Sequence, residues 1–297
     1  MNNTNAYRVL PGPGVRSRIT TGDVMYDVIL ALLPTAVCGV WRFGARAMLL
    51  IVTAVLAAVL LEYALNCFFG RDSSVRDGSA AVTGLLLALS LPPDVPVYYA
   101  FIGAAAAVFL KAVLGGLGHN RLNPALSGRC LLMIAFTSAM TAFYRQGGEF
   151  AGLNSAADAV RLLLGSGSAI IGGSTAALLL GGAFLYRQGH ITWHIPVCML
   201  LGYYFVELLS GGTVFATGET IFLLSGGGML AAVFLANDPV TGPVLPFGRC
   251  LFGLCIGLLT ALFRKWMAPA ESVCLAVLLA DLAAPGFDRF AIARNRV

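Results

Sequence analysis

Residues 111–129 read KAVLGGLGHNRLNPALSGR and gather the residue types best able to hold a ligand. Gly115, Gly116 and Gly118 let a backbone approach a bound molecule closely. Asn120 and Asn123 stand three apart, and each amide offers a donor and an acceptor, enough to meet a flat heterocycle at two edges. Pro124 suits the first turn of a following helix. Two readings stand side by side: a ligand-binding turn, or a re-entrant turn whose asparagines cap that helix. Lys111 either snorkels to an interface or faces a cavity and an anionic or electron-rich ligand. A second concentration, NDPVTGP at residues 237–243, follows Gly226, Gly227 and Gly228. There Asp238 and Thr241 either orient a ligand or ion, or cap a helix end. The glycines at 115–118 lack a following Lys-Ser/Thr and a preceding strand, which excludes a phosphate loop.

These polar clusters must be positioned by apolar helices. Charged residues make up 11% of the 297-residue chain, and mean hydropathy is +0.84. A soluble domain carries about 25% charged residues. The composition therefore predicts an all-α polytopic membrane protein without a sizeable soluble domain. Ten segments are expected, at 24–40, 45–69, 79–91, 97–114, 124–143, 169–186, 193–209, 220–236, 247–263 and 272–290. The polar first 22 residues contain no signal-peptide pattern. The net charge of +5 fits basic residues in cytoplasmic loops and gives no reason to expect nucleic acid.

Two segments are not plain spans. Segment 79–91 is too short to cross and stops at Pro92 and Pro93, and segment 220–236 is interrupted by Gly226–228 and ends at N-D-P. An offset of 147 residues superposes Pro92 on Pro239 and Pro96 on Pro243. Paired broken half-helices are the sign of an inverted repeat, with half-helix ends pointing at a ligand near the midplane. With the N-terminus inside, twelve arginines, Arg129 among them, fall on cytoplasmic segments against six basic residues outside. That places both termini in the cytoplasm. The expected layout is a cytoplasmic arm at 1–23 and one membrane domain at 24–290, followed by a tail at 291–297. Its longest outside loop, 144–168, carries a short amphipathic helix at 156–164.

Carboxylates within apolar runs are costly and normally face the bundle or a water path. Glu207 and Asp281 are read either as ion-pathway residues or as partners of a helix end or arginine. Glu62 leans to the pairing role, and Asp27 to an interfacial one. The seven cysteines form no C-x-x-C pair and read as small buried hydrophobes. His119, His190 and His194 lack ligand spacing, so no metal site is expected.

Four motifs together resemble the D subunit of Rnf-type ion-translocating oxidoreductase complexes. That family is related to the B subunit of the sodium-translocating NADH:quinone oxidoreductase. The motifs are DVILALLP at 27–34, DGSAAVTGLLLALSLPP at 77–93, KxxxGGxGxNxxNPAxxGR at 111–129 and NDPVTGP at 237–243. The third is the specific one. The long N-terminal extension of the quinone-reductase protein has no counterpart, which favours the Rnf type. The resemblance implies a membrane electron carrier holding flavin. In the family one FMN is esterified to a threonine in an S/T-G-A-T motif after the fifth segment. The corresponding stretch here is GLNSAAD at 152–158, and the acceptor position falls on Ala157, which has no hydroxyl. A second, non-covalent flavin (riboflavin or FMN) is implied at the turn formed by Gly118, Asn120, Asn123 and Pro124.

The expected function follows from that resemblance. The chain would be a subunit coupling ferredoxin/NAD-type electron transfer to cation translocation in a bacterial or archaeal cytoplasmic membrane. Without a dinucleotide fingerprint or iron–sulfur spacing, it would need iron–sulfur and flavin partner subunits to complete a reaction. The alternative from the half-helices is a channel or secondary transporter, with Glu207 and Asp281 as ion ligands.

Overall fold

The computed structural model describes residues 20–70, 77–113, 120–141, 160, 163–165, 168, 170–210, 226–238 and 240–294. Among the described residues it is helical throughout, with no strand. The helices are α1 (Thr21–Phe43), α2 (Ala45–Phe69), α3 (Ser79–Ser90), α4 (Val97–Val113), α5 (Pro124–Ala135), α6 (Thr137–Met140), α7 (Thr175–Arg187), α8 (His194–Leu209), α9 (Gly226–Leu230), α10 (Pro246–Phe263) and α11 (Pro269–Arg294). α1, α2, α10 and α11 are long and apolar enough to cross a membrane. α3, α4, α5, α7 and α8 are shorter apolar helices. Leu30, Leu33, Leu56, Leu60, Leu201 and Phe205 are among many large apolar side chains that point outward. On a soluble protein so wide an apolar surface would associate, whereas lipid tails cover it in a membrane.

Local sequence explains where the helices start and stop. α1 opens with a capping box, in which Thr20 N donates to Asp23 Oδ2 at 2.8 Å and Asp23 N donates to Thr20 Oγ1 at 3.3 Å. Gly44, at φ 68°, separates α1 from α2, a conformation that favours glycine. α3 ends at the expected proline pair. Its last carbonyls are satisfied from elsewhere in the chain: Ile171 N donates to Leu91 O at 3.0 Å and Gly172 N to Leu89 O at 2.8 Å. A half-helix that stops inside the bundle needs such partners.

Small residues let the helices touch. A Cβ on Gly84 of α3 would lie 2.6 Å from Ala54 O of α2, and one on Gly202 of α8 would lie 2.5 Å from Leu254 O of α10. Close backbone approach of this kind is how membrane helices pack without a hydrophobic driving force between them.

Three features differ from the sequence reading. The fifth segment is not continuous to 143, because the chain turns at Phe136 between α5 and α6. Residues 220–225 of the eighth segment lie outside the described residues; from Gly226 onward the chain is helical, and its irregularity lies downstream of the glycines. There Ala231–Leu235 continues α9 as a π-turn, with Ala236 N donating to Ala231 O at 2.8 Å. α11 runs on to Arg294 with Pro285 inside it, beyond the expected end at 290. The arm at 1–19, most of the 144–168 loop and Pro239 lie outside the described residues.

Candidate functional site

The two polar concentrations, more than a hundred residues apart in sequence, close on one cavity of about 730 Å³. Lys111 comes from the end of α4, Asn120 from the following turn, and Asn123, Pro124 and Ala125 from the start of α5. Phe234, Asn237 and Asp238 come from the π-turn and its end, and Ser79 from the start of α3. Val24, Met25 and Val28 of α1 supply apolar wall. Mostly apolar walls with a few convergent polar groups are typical of a cofactor site. Gly118 and His119 lie outside the described residues.

Lys111 is 4% exposed, so it does not snorkel to an interface. Its Nζ donates to Glu62 Oε2 at 2.8 Å, Glu62 Oε1 at 3.0 Å and Ser79 Oγ at 2.7 Å. An ammonium has three donors, so Lys111 meets the cavity as a charge rather than as a spare hydrogen bond. Glu62 takes the pairing role expected of it, with this lysine as partner. Sequence spacing gives no sign of the pair, since the two residues come from α2 and α4. The usable signal is two opposite charges in neighbouring apolar runs, which usually seek each other.

The asparagines divide the two readings of the turn between them. Asn123 is a helix cap: its Oδ1 accepts from Ala125 N at 3.0 Å and Leu126 N at 3.4 Å. Its Nδ2 donates to Leu235 O at 3.2 Å, tying α5 to the π-turn. Asn120 is buried, and its Oδ1 has no hydrogen-bond partner among the described residues. A buried acceptor left open is costly unless a ligand or water meets it.

Asp238 lines the cavity while its Oδ1 accepts from Val240 N at 3.1 Å, closing a local turn. Thr241 is buried in the next turn and does not line the cavity. Asp281 of α11 is 1% exposed, and its Oδ2 accepts from Asn123 N at 3.1 Å. It therefore sits directly behind the asparagine turn. Glu207 lies half-buried near the end of α8 and does not line the cavity, so the two ion-pathway candidates are not brought together there.

Asp27 lies in the second turn of α1 and has a partner in the bundle. Its Oδ2 lies 2.8 Å from His190 Nε2, and His190 lines the cavity. Sequence reasoning does not place His190, Ser79 or Asn237 at the site. Among the described residues no group of three His, Cys, Asp or Glu side chains forms a metal site. The cysteines are free, but only Cys274 is fully buried; Cys67 is exposed and the others half-buried, so the expectation of uniformly buried thiols is corrected. Arg129, counted among the cytoplasmic basic residues, is buried in α5 and cannot act as a loop charge, which leaves eleven against six. Ala157 lies outside the described residues.

A match to known proteins covers residues 8–296 of the chain. The chain belongs to the NQR2, RnfD, RnfE family. It is 34% identical to the D subunit of the Clostridium ljungdahlii proton-translocating ferredoxin:NAD(+) oxidoreductase complex, over 96% of this chain and 95% of that protein. It is 32% identical to the D subunit of the Acetobacterium woodii Na(+)-translocating ferredoxin:NAD(+) oxidoreductase complex, over 98% and 95%. The D subunit of the Vibrio cholerae ion-translocating oxidoreductase complex is also 32% identical, over 96% and 97%.

Proposed function

We propose that this chain is the flavin-carrying membrane component of a complex that couples ferredoxin/NAD-type electron transfer to cation translocation. The single observation that carries the flavin reading is the convergence of Lys111, Asn120, Asn123, Pro124 and Asp238 on one cavity. The donor set fits the group. Asn120 Oδ1 is an open acceptor for a ring N–H, while the apolar walls fit the ring faces. A bound flavin would supply one- and two-electron chemistry. The chain's own residues would do the rest: Asn120 orients the ring, Asn123 and Asp281 hold the turn that presents it, and the Lys111–Glu62 pair fixes the cavity wall between α2, α3 and α4. The flavin is riboflavin or FMN held without a covalent bond, since Ala157 offers no hydroxyl.

The relatives' names support the coupling and the need for partner subunits. One is named as proton-translocating and another as Na(+)-translocating at nearly equal identity. Overall similarity therefore does not choose the ion.

An inverted repeat of five segments per half, ten in all, is the architecture we infer. Its support is spacing: α4 and α5 begin at Val97 and Pro124, and α10 and α11 begin at Pro246 and Pro269, each within two residues of the 147-residue offset. Packing follows the same pattern, with α2 on α4 on α5 in one half and α8 on α10 on α11 in the other. In such a repeat the two halves sit in opposite orientations. The basic-residue bias then puts both termini on the cytoplasmic side of a prokaryotic cytoplasmic membrane.

The absorbance spectrum of the purified protein tests this reading. Flavin bands that disappear on Asn120→Leu are expected. A colourless, folded protein would favour a channel or transporter built on the same half-helices.

A further inference from the structure

Arg129 closes the 111–129 motif, and the flavin site makes no use of it. It is 4% exposed in α5, and its Nη1 has no hydrogen-bond partner among the described residues. A guanidinium stays protonated in proteins, so the charge is buried rather than removed. Glu271, at the start of α11, is near enough for its charge to act on Arg129. The two form no ion pair, and Glu271 Oε1 is itself without a hydrogen-bond partner among the described residues.

Arg129 faces a second cavity of about 270 Å³, lined also by Ser90, Leu126, Leu230, Leu235 and Cys274. Its position relative to the first cavity is informative. The first is reached by Ser79 at the start of α3 and by Phe234 and Asn237 beyond the end of α9. The second is reached by Ser90 at the end of α3 and by Gly227, Leu230, Ala231 and Leu235 along α9 and the π-turn. The two cavities lie at opposite ends of α3, on either side of the first turn of α5 and with the π-turn touching both. Asn123, Pro124 and Ala125 face one cavity, and Leu126 and Arg129 face the other.

We propose that Arg129 is a fixed-charge barrier that closes the route along α3, from the second cavity to the first, to small cations. Cations therefore reach Asp238, and the Asp281 carboxylate behind the asparagine turn, from the side of the first cavity only. In low-dielectric surroundings a guanidinium without a paired carboxylate repels a cation strongly, and a pore-lining arginine excludes cations on the same ground. A coupled translocase needs such a barrier, because an open passage would dissipate the gradient it builds. The inference rests on the proposed ion-translocating role but not on the flavin assignment.

The test uses the whole complex in proteoliposomes, with no electron donor, and follows the decay of imposed Na⁺ and pH gradients with indicator dyes. Wild type and Arg129→Lys should hold both gradients. Arg129→Gln should dissipate at least one of them roughly tenfold faster or more, since the repulsion is gone. Ser90→Asp keeps Arg129 and places a carboxylate on the cavity wall, and it should leak in the same direction. Retention of both gradients by an assembled Arg129→Gln complex with normal flavin content overturns the proposal. So does an Arg129→Lys complex that leaks as fast as Arg129→Gln. Where Arg129→Gln fails to assemble, the Ser90→Asp complex decides, and its holding both gradients overturns the barrier. Absence of flavin from the wild-type complex would sink the cofactor reading and leave this measurement intact.

Discussion

Lys111 and Arg129 stand at the two ends of one motif, and each is only 4% exposed, yet their surroundings are opposite. Lys111 has both oxygens of Glu62 and the Ser79 hydroxyl within hydrogen-bond reach. Arg129 leaves Nη1 open to a cavity and pairs with no carboxylate among the described residues. A buried charge whose bonds are all made holds helices together, here α2, α3 and α4. One whose bonds are left open adds little to cohesion and persists for what its field does. The comparison separates structural from functional charge within nineteen residues of chain.

The sharpest way to break it is Glu62→Gln, which strands the Lys111 charge in the bundle. Loss of one member of a buried pair costs about 3–5 kcal/mol. The level of the protein in membranes and the melting temperature of the solubilised complex should both fall steeply. The double change Glu62→Leu with Lys111→Met removes both charges and should recover most of the loss. Arg129→Met strands no paired partner, so its melting temperature should lie far closer to wild type. Equal destabilisation by Glu62→Gln and Arg129→Met would erase the distinction.

The asparagines repeat the contrast on a smaller scale. Asn123→Leu removes a cap as well as the bond to Leu235, and cap loss alone costs about 0.5–2 kcal/mol. It should lower stability and flavin content together. Asn120→Leu removes only an open acceptor, so flavin should fall while the melting temperature holds. Wild-type flavin in a purified Asn120→Leu complex would mean that the cavity is not the site.

Ion coupling should be more sensitive to Asp281 than to Glu207. Asp281 is buried against the asparagine turn, and Glu207 is half-buried near a helix end. Asp281→Asn should impair cation uptake by energised vesicles at a normal level of the protein, and Glu207→Gln should impair it less. The reverse order would move the ion path to α8. The smallest expected signal is a null one: a denaturing gel should show no flavin fluorescence at the size of this chain. A fluorescent band there would mean that a hydroxyl such as Ser155 has taken an ester that Ala157 cannot.

The cavity is legible in the sequence because glycine, asparagine and aspartate stand out against apolar background. Asn120, Asn123, Pro124, Lys111 and Asp238 can be named on that ground alone. Pairing is less legible. Glu62 and Lys111 lie 49 residues apart, and Asp27 and His190 lie 163 apart, so nothing in local spacing joins them. Arg129 reads as a loop charge because hydropathy averages over a segment and cannot say which face one residue takes. The π-turn is invisible, since AAVFL at 231–235 is compatible with an ordinary helix. Its extra residue is imposed by the surroundings, where Asn123 Nδ2 holds Leu235 O and Asn237 Nδ2 holds Ala232 O.

The two backbone hydrogen bonds at the end of α3 bear on how the protein is made. Leu89 and Leu91 carbonyls find their donors at Gly172 and Ile171, some eighty residues later in the chain. The nascent first half must therefore wait, with polar carbonyls unmet in or near oil, until the ribosome has delivered the second. Because both partners are main chain, the stitch survives almost any side-chain drift. Gly172 is the exception, since a Cβ there would lie 2.9 Å from Leu89 O. A chain cut between the halves would yield an N-terminal fragment that cannot mature by itself and is exposed to quality-control proteolysis until its complement arrives.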